Sequence, residues 1–159
     1  MEEKRRQTLD RVDRRILDLL QREGALSVAE VASRTGLSTT TCWRRIQHME
    51  QSGVIRGRVA LLDRSALGLD VTIFAHVKLS TQGRDAIAAF AEAIRERPEV
   101  LDCYTTMGEW DFMLRIVTKD IKAYEAFYLD HLSKLPNVQS INSSVTVTVI
   151  KETTVLPIE

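Results

Sequence analysis

Gly36-Leu-Ser-Thr-Thr-Thr-Cys-Trp-Arg-Arg-Ile-Gln-His-Met-Glu-Gln-Ser-Gly53 is the stretch on which the reading of this chain turns. It begins with a glycine that can take a positive φ and with Ser38 placed as an N-cap, then runs helically until Gly53 offers a stop. Cys42, Ile46 and Met49 fall at i, i+4 and i+7 and share one side of the helix, so Thr40, Thr41, Trp43, Arg44, Gln47 and His48 point largely elsewhere. That outward side carries no acid before Glu50. Hydroxyls at the positive end of the helix dipole and arginines on the open side suit a phosphate backbone and base edges. A solvated amphipathic surface is the plainer alternative, and this stretch alone does not separate the two.

Two shorter helical patterns precede it. Asp10 can cap the first, which carries Val12, Ile16, Leu19 and Leu20 on one face and stops at Gly24. Ser27 can cap the second, Val28 to Thr35, with Val28, Val31 and Ala32 at the same spacing before Gly36 ends it. Helix, short helix, glycine-containing turn and a helix with a polar outer face is the order of a helix-turn-helix. Residues 1–8 read as a polar, frayed lead-in.

Beyond Gly53 comes a β-leaning segment, Val54 to Leu62, with Arg56 and Arg58 alternating to one side. These arginines could touch phosphate or simply charge a strand edge. A domain boundary is expected before Val71, where Val71, Ile73, Ala75, Val77 and Leu79 alternate as in a half-buried strand. A helix follows from Gly83, with Ile87, Phe90, Ala91 and Ile94 inward, until Pro98. Strands are expected over Val100 to Met107 and Asp111 to Thr118, joined at Gly108-Glu-Trp110. Asp120 can cap a helix with Ile121, Tyr124, Phe127, Tyr128, Leu132 and Leu135 on one side. A last strand, Val138 to Lys151, carries Ile141, Val145, Val147 and Val149 in alternation. The second half is therefore β, α, β, β, α, β, the split βαβ order of a ferredoxin-like sheet covered by helices on one face. Phe74, His76, Ser144, Thr146 and Thr148 fall on the other face, a mixed surface suited to a second subunit.

Composition narrows the function. Apolar residues make up 44% of 159, enough for folded domains rather than disorder. The 22 Lys and Arg balance 22 Asp and Glu, which argues against a nucleic-acid coat protein. Residues 1–63 nevertheless hold 12 bases against 9 acids, and residues 64–159 hold 10 against 13. The two cysteines, Cys42 and Cys103, form no CxxC pair, and the isolated His48, His76 and His131 have no ligand spacing, so neither a disulfide framework nor a metal is expected. A charged start and the absence of a long apolar run predict a cytosolic protein with no leader and no membrane span. No nucleophile beside a base, paired-carboxylate motif or phosphate-cradling loop is present to suggest an enzyme, and no cofactor is expected.

Four marks together resemble the Lrp/AsnC (leucine- and asparagine-responsive, feast/famine) transcriptional regulators. They are Leu9-Asp10-x-x-Asp13-x-x-Ile16-Leu17; Val31-Ala-x-x-x-Gly36-Leu-Ser38; Arg45-Ile46 with Glu50-x-x-Gly53-x-Ile55; and Gly108-x-x-Asp111-Phe112. The segments Cys42-Trp-Arg, Gly57 to Asp63 and Lys151 to Ile158 look closest to a cysteine-responsive branch. The resemblance implies an α+β protein: a winged-type helix-turn-helix over 1–53, a linking strand and hinge over 54–70, and a ferredoxin-like βαββαβ effector-binding and oligomerisation domain over 71–159. It implies double-stranded DNA with a roughly palindromic operator, a small amino-acid effector, and a homodimer that assembles further, to an octamer. An architectural DNA-binding protein with no ligand is the alternative.

On this resemblance Ser38, Thr39, Thr40, Thr41, Trp43, Arg44 and Gln47 form the DNA-binding set. Arg44 is the first choice for a base contact and a phosphate contact is its alternative. Trp43 either packs on the sugar-phosphate wall or, the favoured expectation, covers the domain's own core. The effector set is Thr106, Met107, Gly108, Glu109, Trp110 and Asp111 with Ile121, Ser144 and Thr146, completed between subunits. Free N-H groups at Gly108 would hold a carboxylate and Asp111 would pair the α-amino group, with a cap of the hairpin as the less favoured alternative for Asp111.

Overall fold

A computed structural model describes residues 8–81 and 83–158; all but the last residue of the expected polar lead-in lies outside the described residues. The chain divides into two units, residues 1–61 with 151–159, and residues 62–150.

The first unit holds three helices, α1 (Arg11–Arg22), α2 (Val28–Thr35) and α3 (Thr39–Gln51). Each start is set by a side chain. Asp10 and Ser27 make reciprocal capping boxes with Asp13 and Glu30, and Ser38 accepts from the Thr41 N-H. Gly36 ends α2 at φ 72°, a left-handed angle that a β-carbon would strain, and so turns the chain into α3. Ile16, Leu20, Leu26, Val31, Ala32, Cys42, Ile46 and Met49 form the core. α1 stops two residues before Gly24, where the Glu23 N-H closes on the Leu19 carbonyl.

The second unit contains β1 (Val71–Leu79), α4 (Arg84–Arg95), β2 (Val100–Thr105), β3 (Phe112–Thr118), α5 (Ile121–Asp130) and β4 (Val138–Val145). The strands make one antiparallel sheet in the order β2-β3-β1-β4, the ferredoxin-like arrangement. Ile73, Ala75, Val77 and Leu79 alternate inward against Phe90 and Ile94 of α4 and Tyr124 and Phe127 of α5, with the Phe90 and Phe112 rings stacked at 4.3 Å.

Several expectations need correction. Val54 to Leu62 forms no strand: among the described residues no other strand pairs with it, and Val59, Leu61 and Leu62 stand exposed. β4 ends at Val145 rather than Lys151: its partner β1 begins at Val71, and one further bond, Thr146 N-H to the Thr72 carbonyl, exhausts the ladder. Val147 is therefore 98% exposed. β2 stops at Thr105 and β3 starts at Phe112, so the connection is longer than a tight hairpin. Ala86, not Ile87, turns inward on α4, and Ile121 is half exposed. Residues 151–158 pack with the first unit.

Candidate functional site

On α3 the apolar side is consumed by the core, and the polar side is left as a surface. Thr39, Thr40, Trp43, Arg44 and His48 are exposed, while Thr41 and Gln47 are half-buried. Trp43 is 52% exposed, so it does not cover the core as expected; its ring lines an open cleft with Arg44, Gln47, His48 and Gln51. The two neighbouring arginines divide the labour. Arg45 turns to α1, where its guanidinium meets Asp10 at 2.6 Å and Asp13 at 2.7 Å, and so ties the outer helix to the first. Arg44 points outward and enters no ion pair among the described residues. The Asp13 N-H, and then the Arg45 guanidinium, hold the Asp10 carboxyl below the usual carboxylate range.

Other members of the expected DNA set are partly occupied. The Ser38 hydroxyl donates to Thr41 Oγ1 at 2.8 Å, and Gln47 Nε2 donates to Glu50 Oε2 at 2.8 Å. Glu50 also receives Arg58 at 3.5 Å, giving that arginine a partner within its own unit. Arg45 escaped the sequence reading as a clamp. Its signal was present in two carboxylates three residues apart at a helix start, opposite an arginine on a helix that must pack there.

In the second unit the 106–111 connection forms a coherent turn. Gly108 takes φ 134°, where a side chain would strain the backbone. The Thr106 N-H donates to the Asp111 carbonyl at 2.9 Å, and Thr106 Oγ1 to the Trp110 carbonyl at 2.6 Å. Trp110 lies back toward His76 of β1, ring centres 6.1 Å apart, while Met107 is fully exposed. Asp111 is already engaged: its N-H donates to the Val77 carbonyl and its Oδ2 accepts from the Leu79 N-H at 2.8 Å, with Lys78 Nζ at 3.8 Å. The carboxylate thus ties the turn to β1 where the β1-β4 register slips, a job closer to the hairpin cap than to an open anion.

The remaining effector residues lie elsewhere. Val77 pairs with Phe112 beside the turn, whereas Val71 pairs with Thr118 just before α5. Ile121 and Thr146 therefore sit at the opposite end of the sheet, roughly 17 Å away at the usual rise per residue. Ser144, opposite Phe74, is exposed midway, and Thr146 Oγ1 donates to the Thr72 carbonyl. One chain brings Thr106 to Asp111 together and leaves Ile121, Ser144 and Thr146 apart from them.

Residues 9–56 match a winged helix-turn-helix DNA-binding model, and residues 72–156 match the Lrp/AsnC ligand binding domain. The chain belongs to the Lrp/AsnC family. Among Lrp/AsnC-type relatives, the DNA-binding transcriptional activator DecR of Escherichia coli is 37% identical over 95% of this chain and 99% of its own. The Bkd operon transcriptional regulator of Pseudomonas aeruginosa is 39% identical over 86% of this chain and 89% of its own. Of solved structures, an AsnC family regulator from Agrobacterium tumefaciens has a TM-score of 0.90 at 44% identity, and a Neisseria meningitidis transcriptional regulator, solved as a complex with L-Met, 0.90 at 37%; each covers 94% of this chain and 97% of its own. This Lrp/AsnC protein is accordingly a DNA-binding transcriptional regulator with an amino-acid ligand-binding domain, and not an enzyme. No helix among the described residues is long and apolar enough to cross a membrane.

Proposed function

We propose that this regulator binds a roughly palindromic operator as a dimer, with α3 of each copy in the major groove, and that a small amino acid held between subunits alters that binding. The carrying observation is the outer face of α3, acid-free from Thr39 to Gln47 with Thr39, Thr40, Trp43 and Arg44 exposed, braced on α1 by Arg45. Ser38, Thr39, Thr40 and Thr41 meet phosphate and sugar, Arg44 reads a base edge, and Trp43 and Gln47 flank it. In the second unit Thr106 to Asp111 present one wall of the effector site. Ile121, Ser144 and Thr146 of a neighbouring subunit present the other, since a single chain separates them.

Asp111 positions the turn on this reading, and the effector's carboxylate takes backbone N-H groups near Gly108. The exposed apolar residues of the 54–62 segment, and the sheet face carrying Phe74, His76 and Ser144, favour a homodimer that assembles further, to an octamer, in the cytosol. Cysteine and methionine head the list of effectors, in line with the cysteine-responsive resemblance and the L-Met complex of the Neisseria relative.

The test is an operator titration with and without each of the twenty amino acids, with footprinting of the bound DNA. Paired protections one or two helical turns apart and a shift with a small subset of amino acids are expected. An unpaired footprint would remove the dimeric docking, and indifference to all twenty would leave the architectural alternative.

A further inference from the structure

The first unit is closed by a segment from the far end of the chain. On α1, Gln21 Nε2 donates to the Leu156 carbonyl at 3.0 Å, and Gln21 Oε1 accepts from the Leu156 N-H at 2.8 Å. One side-chain amide thus reproduces the two-bond exchange of paired strands, which needs a donor and an acceptor on one planar group. Asp18 Oδ1 takes the Gln21 amide as well, at 3.0 Å, which fixes which way the amide faces. Leu156 and Ile158 then lie along an apolar cleft of about 360 Å³ lined by Leu9, Leu17, Leu20 and Ile55.

Connectivity gives this contact its meaning. The second unit occupies residues 62–150, so the chain passes between the units twice, before Leu62 and after Ile150. The second crossing follows β4, which carries Ser144 and is succeeded at once by Thr146, and continues to the grip on α1 at Leu156. From α1 the route to the DNA face is short: Asp10 and Asp13 hold Arg45 of α3.

We propose that the carboxyl-terminal tail is a clasp through which β4 acts on the recognition unit. Gripped at Gln21, the tail makes the setting of α1, and through Arg45 that of α3, depend on the state of β4. This deepens the effector reading above and rests on it, since Ser144 and Thr146 are the proposed ligand residues nearest the tail in the chain.

The experiment compares the full-length protein with Gln21→Met, which keeps length and helix preference but removes both hydrogen bonds. Hydrogen exchange at Leu156, operator affinity, and calorimetric binding of the active amino acid are read on both. Expected are exchange at Leu156 faster by about tenfold, the loss of roughly one net hydrogen bond or more, an amino-acid effect on operator affinity at least halved, and amino-acid affinity retained. Leu156 exchanging at the wild-type rate in Gln21→Met overturns the clasp, as does an undiminished amino-acid effect despite faster exchange. If no amino acid alters operator binding by the wild-type protein, the effector reading fails by itself. The clasp is then decided by exchange and effector-free operator affinity, both of which should change in Gln21→Met, and a wild-type value for either overturns it.

Discussion

Gly36 and Gly108 each put the chain through a positive φ, and each opens onto a surface proposed above as functional, but the two differ in how much of the protein they require. Gly36 delivers the chain to Ser38, and the next thirteen residues, Thr39 to Gln51, supply every proposed DNA contact after Ser38 from one helix. Gly108 delivers it to a turn tied down by Thr106 and Asp111, whose proposed partners Ser144, Ile121 and Thr146 lie midway along the sheet and at its other end. A site built on one helix is finished when that helix packs. On the proposed function, a site divided along a sheet waits for a second subunit, and regulation would enter through that dependence.

The harshest way to break the contrast is to empty the core beneath α3. Ile46→Ala removes a buried side chain and should cost about 2 to 5 kcal/mol, melting the recognition unit and abolishing operator binding. Calorimetry should show the second unit melting as before, and a single merged transition in the variant would contradict two separable units. Asp111→Ala strips the Leu79 N-H of its acceptor, at about 1 to 3 kcal/mol, and should weaken amino-acid binding in calorimetric titration; full retention would remove Asp111 from any part in the site.

Arg44→Ala tests the one-helix surface directly. It should cost about 1 to 3 kcal/mol of operator affinity and relax base preference at one position of each half-site. A uniform loss across sequences would make Arg44 a phosphate contact instead. The smallest effect concerns pH. The folded Asp10 carboxyl lies below its unfolded value, so its contribution is present above the ordinary carboxylate pKa and lost as pH falls through the lowered one. Melting temperature of the recognition unit should fall on acidification below about pH 4, the ordinary carboxylate range, and Asp10→Asn should flatten that slope.

How much of this could be read from residues alone follows the same division. Caps at Asp10, Ser27 and Ser38, the stop at Gly36 and the inward triad Cys42, Ile46 and Met49 are local, and local patterns specify them. The order of the sheet was legible from the β, α, β, β, α, β sequence. Where alternation outran pairing, it misled: Val147 and Val149 look like strand residues but have no strand beside them, and Val54 to Leu62 likewise. The engagements of Arg45 with Asp10 and Asp13, and of Gln21 with Leu156, join residues distant in the chain; the carboxylate spacing at the start of α1 hints at the first, and no spacing rule announces the second.

The tail's place in the recognition unit also makes the second unit an insertion. Residues 62–150 interrupt a domain that begins before them and resumes after them. A chimera that exchanges sensors between such regulators therefore needs two splice points, near Leu61 and near Lys151. One cut after the helix-turn-helix would leave α1 facing a foreign tail, with Gln21 bonded to whatever residue the donor supplies opposite it.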